Sequence, residues 1–173
     1  MRSNYLQYII GFILLLLTQV LVFKNIVLFS YGFCFIYLVY LLVLPVNINP
    51  ILGLFIGFIL GILVDAFYDT GGIHALASVF FMFTREKWLN LITPQGGYEL
   101  NALPTIKMSG LSWFAGYSFP LIFIHHTILF FVESYGFSYF WFTLSKSFFS
   151  TCFTFLVVVL AQQLLFKRSG QRT

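Results

Sequence analysis

The sequence predicts an all-α, polytopic membrane protein with about six transmembrane helices, forming a single integral-membrane domain over residues 1–173. Hydrophobic residues make up 60% of the chain and charged residues only 8%, and the mean hydropathy is +0.96. A soluble domain of this size could not bury so much apolar surface, because a small globule leaves a large part of its chain exposed. Several apolar runs also reach the roughly 18 to 20 residues that span a bilayer.

Six apolar segments are long enough to be considered as spans, and we expect them at about 5–23, 27–44, 50–69, 72–91, 110–133 and 140–166. Polar residues, glycine or proline mark every gap: Lys24-Asn25, PVNINP at 45–50, DTGG at 69–72, the long stretch 85–107, and 133–138. The short gaps predict antiparallel neighbouring helices. The first apolar run follows Arg2 but has no A-x-A cleavage pattern, so we interpret it as a retained span.

The fourth span is the least apolar of the six. Its apolar part, 73–83, is too short to cross a bilayer alone. Either the helix continues past Arg85 and Lys87, whose side chains would snorkel to the membrane surface, or it is a half-helix packed against other spans. We favour the continuous helix.

The positive residues predict the orientation. With six spans, both termini share one side with the second and fourth loops, and the other side has only Lys24 and Lys146. By the positive-inside rule, both termini are expected in the cytoplasm. The seven Lys and Arg residues on the cytoplasmic side would be Arg2, Arg85, Lys87, Lys107, Lys167, Arg168 and Arg172.

One face of the third span stands out, because its only non-apolar residues recur every four positions: Gly53, Gly57, Gly61, Asp65 and Asp69. Residues at this spacing drift by only about 40° per step and share one helix face. Glycines in register allow a second helix to approach closely. The neighbour could be another span of this chain or another protein, and we favour packing within the chain.

Asp65 is expected toward the outer half of the membrane, where a carboxylate is costly and usually has a role. In one interpretation it faces inward and pairs with a histidine or lysine, which would fix a binding or switching geometry. In the other it is solvated near the headgroups or caps a neighbouring helix. Asp69, in Asp-Thr-Gly-Gly, is typical of an ordinary turn.

The three histidines, His74, His125 and His126, are all expected in or near the outer half of the bundle, together with Glu133 and Lys146. His125 and His126 are adjacent and so about 100° apart on a helix, which argues against a shared zinc ion. A proton relay stays open, because histidine titrates near neutrality. We favour histidines that are hydrogen-bonded near the outer interface. Cys34 and Cys152 lie far apart in apolar runs and predict neither a disulfide nor a metal pair.

Nothing in the sequence predicts an enzyme or a cofactor site. There is no Gly-x-Ser-x-Gly, no phosphate-binding loop with its lysine, and no second carboxylate contributor for Asp65 and Asp69 from another span. There is also no basic block of the kind that binds nucleic acid.

The stretch Gly57–Asp65, GFILGILVD, followed after a turn by Gly72-Ile73-His74-Ala75-Leu76, resembles the signature of the rod shape-determining protein MreD family. Gln19 and Arg85 resemble a glutamine near the end of the first span and a basic residue closing the fourth. The close match covers about twenty residues, and the remainder agrees in hydropathy and layout. Many members carry Pro-Asp entering the second span, which this chain lacks.

The resemblance implies a non-catalytic component of the cell-wall elongation complex in the bacterial inner (cytoplasmic) membrane. Its direct partner would be an MreC-like, membrane-anchored protein, and the complex would connect it to cytoskeletal MreB, a glycan polymerase and a penicillin-binding transpeptidase. The resemblance also implies a fold similar to the substrate-binding subunits of energy-coupling-factor vitamin transporters. The implied packing or partner-binding residues are Gly53, Gly57, Gly61, Asp65, Asp69, Gly72 and His74, with Gln19, Arg85, His125, His126 and Glu133 as secondary candidates.

The alternative function is a small solute-binding or transport subunit of the vitamin-transporter type, with the outer polar residues as its site. The outer loops are expected to be very short, which leaves little chain to close over a ligand. We therefore place this alternative second.

Overall fold

A computed structural model gives the fold of residues 2–29 and 31–165, with side chains described for 6–29 and 31–164. Helices dominate the described part. In chain order the elements are helix α1 (Arg2–Leu21), a 3-10 turn (Phe23–Asn25), strands β1 (Val27–Leu28) and β2 (Gly32–Phe33), and helices α2 (Leu38–Leu42), α3 (Pro50–Tyr68), α4 (Ile73–Leu91), α5 (Ile106–Glu133) and α6 (Phe140–Leu165).

The chain is a mostly helical, membrane-embedded protein. Among the described residues, four helical segments are long and apolar enough to cross a membrane: Leu6–Asn25, Pro50–Tyr68, Ile106–Glu133 and Phe140–Leu164. Helix α4 is not one of the four, since it carries Arg85, Glu86 and Lys87. It is nevertheless one unbroken helix of 19 residues, which at 1.5 Å per residue is about 28 Å long.

The predicted second span, 27–44, is wrong as a transmembrane helix. Its first part is an antiparallel hairpin in which Val27 pairs with Phe33 and Leu28 with Gly32. Residues 34 and 35 then have no regular structure and 36 and 37 form a turn, and of the described residues in this segment only Leu38–Leu42 form an α-helix. Non-helical backbone is tolerated at membrane depth where protein groups satisfy it. Here the partners come from α6, whose hydroxyl groups bond to the backbone of Phe33 and Phe35.

The other predicted spans coincide with helices, apart from shifts at their ends. The largest shift is in α5, which begins at Ile106 rather than 110, with a break at Gly110 (φ 82°, ψ 167°). Asn49 caps α3 by accepting from the N–H of Ile51 at 2.9 Å, and Pro50 occupies the first turn, where its missing N–H costs nothing. The last predicted residue, 166, lies outside the described residues.

The long helices pack in chain order, α3 against α4, α4 against α5, and α5 against α6, with α1 beside α3. We call one end of this bundle the hairpin end; it contains residues 22–29, 31–33, 69–72 and 134–139. The opposite end, which we call the loop end, contains 43–49 and 92–105, joined by the bond from the N–H of Val46 to the carbonyl of Ala102.

The centre of the bundle is filled by part of the predicted second span, 27–44. Residues 34–42 are all buried, and Tyr37, Leu38, Leu41 and Leu42 are fully enclosed. The segment runs from Gln19, near the hairpin end of α1, to Arg85, toward the loop end of α4. It therefore passes through the middle of the bundle, while α1 stays at the periphery and exposes most of its apolar side chains.

Candidate functional site

Asp65 caps the first turn of α4. One carboxylate oxygen accepts from the Thr70 hydroxyl at 2.5 Å and from the N–H of His74 at 3.0 Å, and the other accepts from the N–H of Ala75 at 2.9 Å. Gly72 stands at the N-cap position (φ 99°) and has no side chain to do this. A carboxylate satisfies these orphan N–H groups and is also favoured by the helix dipole.

Asp65 therefore bonds to the backbone of His74 rather than to its imidazole. The interpretation in which it pairs with a histidine or lysine side chain is wrong for the residues that the structure describes. Of the two alternatives, the helix cap is the one observed. Asp69 is exposed at the end of α3 in the left-handed region (φ 56°), as its turn motif predicts.

The glycine face of α3 lies directly against α4. A Cβ added to Gly61 would be 2.4 Å from the Ala75 Cα, and one added to Gly57 would be 2.9 Å from the Ser78 carbonyl oxygen. At Gly53 the contact is with the flexible end of Met82, also at 2.9 Å. The two backbones touch most closely next to Asp65, so close packing and capping act on the same turn. Being buried, these glycines leave little surface for a partner.

Arg85 and Tyr117 hold the end of α2. The Arg85 Nη2 donates to the carbonyls of Leu44 and Pro45, and its Nε donates to the Tyr117 hydroxyl at 2.8 Å. Tyr117 in turn donates to the Leu42 carbonyl at 2.8 Å. These carbonyls belong to the last residue of α2 and to the residues just after it, and they have no N–H partner within the helix. Arg85 is fully buried, so it does not snorkel to the surface as expected from the sequence.

Tyr37 connects two of the three histidines inside the bundle. Its hydroxyl oxygen lies 2.8 Å from the His125 Nε2 and 3.3 Å from the His74 Nδ1, and it accepts from Ser78 at 3.5 Å. A hydroxyl donates only one proton, so at least one of the two imidazoles must donate its N–H to Tyr37. All four residues are buried.

His126 belongs to a second network, formed with α6. Its Nε2 lies 3.1 Å from the Thr154 hydroxyl, which also accepts from the N–H of Phe35 at 3.2 Å. One turn earlier, the Ser150 hydroxyl accepts from the N–H of Phe33 at 3.0 Å. The ring of Phe35 separates the two networks, with its centroid 5.1 Å from His74 and 5.2 Å from His126.

Gln19 ties α1 to the same region. Its amide donates to the Cys34 carbonyl at 3.1 Å and to the Tyr68 hydroxyl at 2.6 Å. We call the whole assembly the central polar cluster and define it as Gln19, Tyr37, Tyr68, His74, Ser78, His125, His126 and Thr154.

Two atoms of the central polar cluster are buried without a hydrogen-bond partner among the described residues: the Gln19 Oε1 and the His125 Nδ1. An unsatisfied buried polar atom is costly, so such positions are where water or a polar ligand would bond. No group of three or more His, Cys, Asp or Glu side chains in the described ranges is arranged to hold a metal ion. The cysteines, Cys34 and Cys152, are both free thiols.

The structure brings some of the sequence candidates together and leaves others apart. Gln19 and the three histidines meet in the central polar cluster, with Asp65 and the glycines of α3 alongside. The histidines are buried in the bundle and hydrogen-bonded, and their depth in the membrane stays a prediction. Arg85 acts separately at the end of α2. The two candidates at the surface of the hairpin end, besides the partly buried Gly72, are Asp69 and Glu133.

Sequence reasoning missed several residues on which the site depends: Tyr37, Tyr68, Ser78, Tyr117, Ser150 and Thr154. Most are single hydroxyl groups in apolar runs, which hydropathy does not distinguish from packing residues. A usable signal existed in the sixth span, where buried hydroxyl residues recur at helical spacing and so mark one polar face: Ser147, Ser150, Thr151 and Thr154.

No family model, no curated protein and no solved structure matches the chain.

Proposed function

We propose that the protein is a non-catalytic inner-membrane component of the bacterial cell-wall elongation complex, which binds an MreC-like partner and supports cell shape and lateral peptidoglycan synthesis. The proposal starts from the resemblance of Gly57–Asp65 and Gly72–Leu76 to the MreD signature. Both termini would lie in the cytoplasm.

The observation that carries the proposal is how the signature residues act together. Gly57 and Gly61 let α4 approach α3, and Asp65 then caps α4 at the closest point. The signature thus builds one rigid pair of helices, which is a structural role rather than a catalytic one. A rigid helix pair suits a scaffold, because a partner can bind without an ordering cost.

The polar side chains of the interior also favour a scaffold. Asp65, Arg85 and Tyr117 each form hydrogen bonds with backbone groups of neighbouring elements. A nucleophile or general acid needs a polar group that is free to reach a substrate. These three side chains are instead committed to the fold.

The contact with an MreC-like partner is proposed for surfaces other than the glycine face, which α4 occupies. MreB, a glycan polymerase and a penicillin-binding transpeptidase would then be reached through the complex.

The test is co-purification of the tagged full chain from its native membrane in mild detergent, with mass spectrometry of the proteins that accompany it. A tagged polytopic protein of similar size from the same membrane serves as the control. We expect specific recovery of an MreC-like protein with a single membrane-spanning anchor.

Recovery of ATPase subunits or of a tightly held small molecule would contradict the scaffold and support the solute-transport alternative. In that case the unpaired Gln19 Oε1 and His125 Nδ1 would be the first atoms to examine for ligand contact.

A further inference from the structure

A groove of about 470 Å³ opens at the hairpin end, between the last turn of α5 and the first turns of α6. Its wall combines two opposite charges with hydroxyl and aromatic groups, from Phe130, Glu133, Tyr139, Phe142, Thr143 and Lys146. None of these residues belongs to the central polar cluster, so the groove is a separate feature of the molecule.

Lys146 is held against the wall of the groove instead of extending into solvent. Its Nζ lies 2.8 Å from a Glu133 carboxylate oxygen, 4.1 Å from the ring centroid of Phe130 and 4.7 Å from that of Phe33. The lysine side chain is only 18% exposed, against 47% for Glu133. An ammonium group has three N–H donors, and the bond to Glu133 uses one of them. A partly desolvated cation of this kind interacts strongly with an anionic oxygen.

The surroundings of the groove are those of a membrane–water interface. Helix α5 ends at Glu133 and α6 begins at Phe140, so the groove lies at the ends of two apolar helices. Strongly exposed aromatic residues surround it: Tyr135 (97% exposed) and Phe137 (74%) in the connection, and Trp141 (76%) in the first turn of α6. Tyrosine and tryptophan concentrate at the headgroup level of bilayers. In a bilayer, a groove in this position would face the lipid headgroups.

We propose that this groove binds a phospholipid whose headgroup carries a protonated primary amine beside its phosphodiester. The phosphodiester would accept from Lys146 and from the hydroxyl groups of Thr143 and Tyr139. The ammonium would donate to Glu133, and an acyl chain would follow the apolar side formed by Phe130 and Phe142.

Charge complementarity selects this headgroup over two others. An anionic headgroup without an amine would bring a second negative charge beside Glu133, and like charges at short distance repel. A trimethylated ammonium has no N–H to donate to the carboxylate. A zwitterionic headgroup with a primary amine satisfies both charges of the groove. The ion pair between Lys146 and Glu133 would be replaced by two ion pairs with the lipid, one for each side chain.

The first experiment uses the unmodified full chain, delipidated in detergent and mixed with equal amounts of phosphatidylethanolamine, phosphatidylglycerol and phosphatidylcholine with identical acyl chains. Native mass spectrometry then measures the lipid retained. We expect about fivefold more phosphatidylethanolamine than either competitor, the ratio that one partly exposed charged hydrogen bond supplies. Equal retention of the three lipids would overturn the proposal without any mutant.

The second experiment assigns the preference to Glu133. Glu133→Gln should reduce the preference for phosphatidylethanolamine over phosphatidylcholine from about fivefold to about twofold or less, since the amide oxygen can still accept an N–H but carries no charge to attract the ammonium. Glu86→Gln, at an exposed acid toward the loop end of α4, is the matched control and should keep the preference. A preference that stays at its full value in Glu133→Gln, or that both variants reduce equally, would place the lipid elsewhere and overturn the assignment.

Discussion

Asp65 and Arg85 show what single polar residues do in this bundle: each satisfies backbone groups that belong to another element. Asp65 takes two N–H groups at the start of α4, and Arg85 takes carbonyls after the end of α2. Inside a membrane no water is available to replace such partners. An unsatisfied backbone group costs roughly 1–3 kcal/mol in a protein interior, and more where it faces lipid. These side chains therefore decide whether the surrounding backbone can adopt its conformation.

The prediction for Asp65 follows from its three acceptor contacts. Asp65→Asn replaces one acceptor oxygen by an NH₂ group, which would face an N–H or hydroxyl donor. We expect a loss of stability of about 1–3 kcal/mol, measured as a lower midpoint of thermal unfolding in detergent. Asp69→Asn is the control, because Asp69 is exposed and its backbone lies in the left-handed region, which asparagine tolerates. Equal shifts for the two variants would contradict the capping role.

At the scale of elements, the pair α3 and α4 depends on graded contacts along the glycine face. Gly61→Ala would place a methyl group against backbone atoms of Ala75, which cannot move without shifting the helix. Gly53→Ala meets only the flexible end of Met82. We expect Gly61→Ala to lower the stability by about 1–3 kcal/mol, the usual cost of overpacking, and Gly53→Ala to lower it much less. Thermal unfolding in detergent measures both as shifts of the midpoint.

Gly11→Ala in α1 is the control for these two variants, because an added Cβ meets nothing within 4 Å there. Alanine also has the higher helix propensity, so this change should be neutral or slightly stabilising. A result in which Gly53→Ala is as damaging as Gly61→Ala would contradict the packing order.

A second prediction about the elements concerns the non-helical stretch 34–37 and its contact with α6. Thr154→Val removes the acceptor of the Phe35 N–H and the contact with His126, while keeping the side-chain shape. We expect a loss of about 1–3 kcal/mol, since buried groups are left unsatisfied. Thr151→Val is a matched control: Thr151 is equally buried, but its hydroxyl donates only to the Ser147 carbonyl of its own helix. Thermal unfolding in detergent measures the stability of both variants. A similar small effect for each would show that α6 does not stabilise the stretch 34–37.

The helix pair α3 and α4 and the segment 27–44 differ in how far the sequence predicts them. The glycine spacing and the Asp-Thr-Gly-Gly turn are local signals, so they predict α3, α4 and their close packing from one stretch of chain. The segment 27–44 is just as apolar whether helical or extended. Its conformation depends on Ser150 and Thr154, more than 100 residues later, as the separations of 117 and 119 residues in these bonds show. Hydropathy cannot contain that information.

The site is predictable to the same degree. The sequence identifies Gln19, Asp65 and the three histidines as unusual polar residues in apolar runs. It does not identify Tyr37, whose hydroxyl joins His74 and His125 across separations of 37 and 88 residues. Which polar residues meet is decided by the course of the segment 34–44 through the core, and that course was the part of the fold the sequence misassigned.

At the scale of the whole molecule, the two ends of the bundle differ in charge. Among the described side chains, Arg85, Lys87 and Lys107 lie toward the loop end, and Lys24 and Lys146 lie at the hairpin end. Lys167, Arg168 and Arg172, which the sequence analysis places on the side of the loop end, are outside the described residues. Buried Arg85 is committed to α2, so the exposed lysines Lys87 and Lys107 carry the signal for orientation in the described part.

The orientation predicts which end a reagent can reach. In spheroplasts that express single-cysteine variants, with Cys34 and Cys152 replaced by alanine, a membrane-impermeant maleimide should label Phe137→Cys at the exposed hairpin end. Gln95→Cys, exposed in the loop-end connection, should react only after the membrane is permeabilised. This second reaction is the control that the introduced thiol is accessible. The reverse pattern would place the hairpin end in the cytoplasm, against the positive-inside rule, and would move the groove of Glu133 and Lys146 to the inner leaflet.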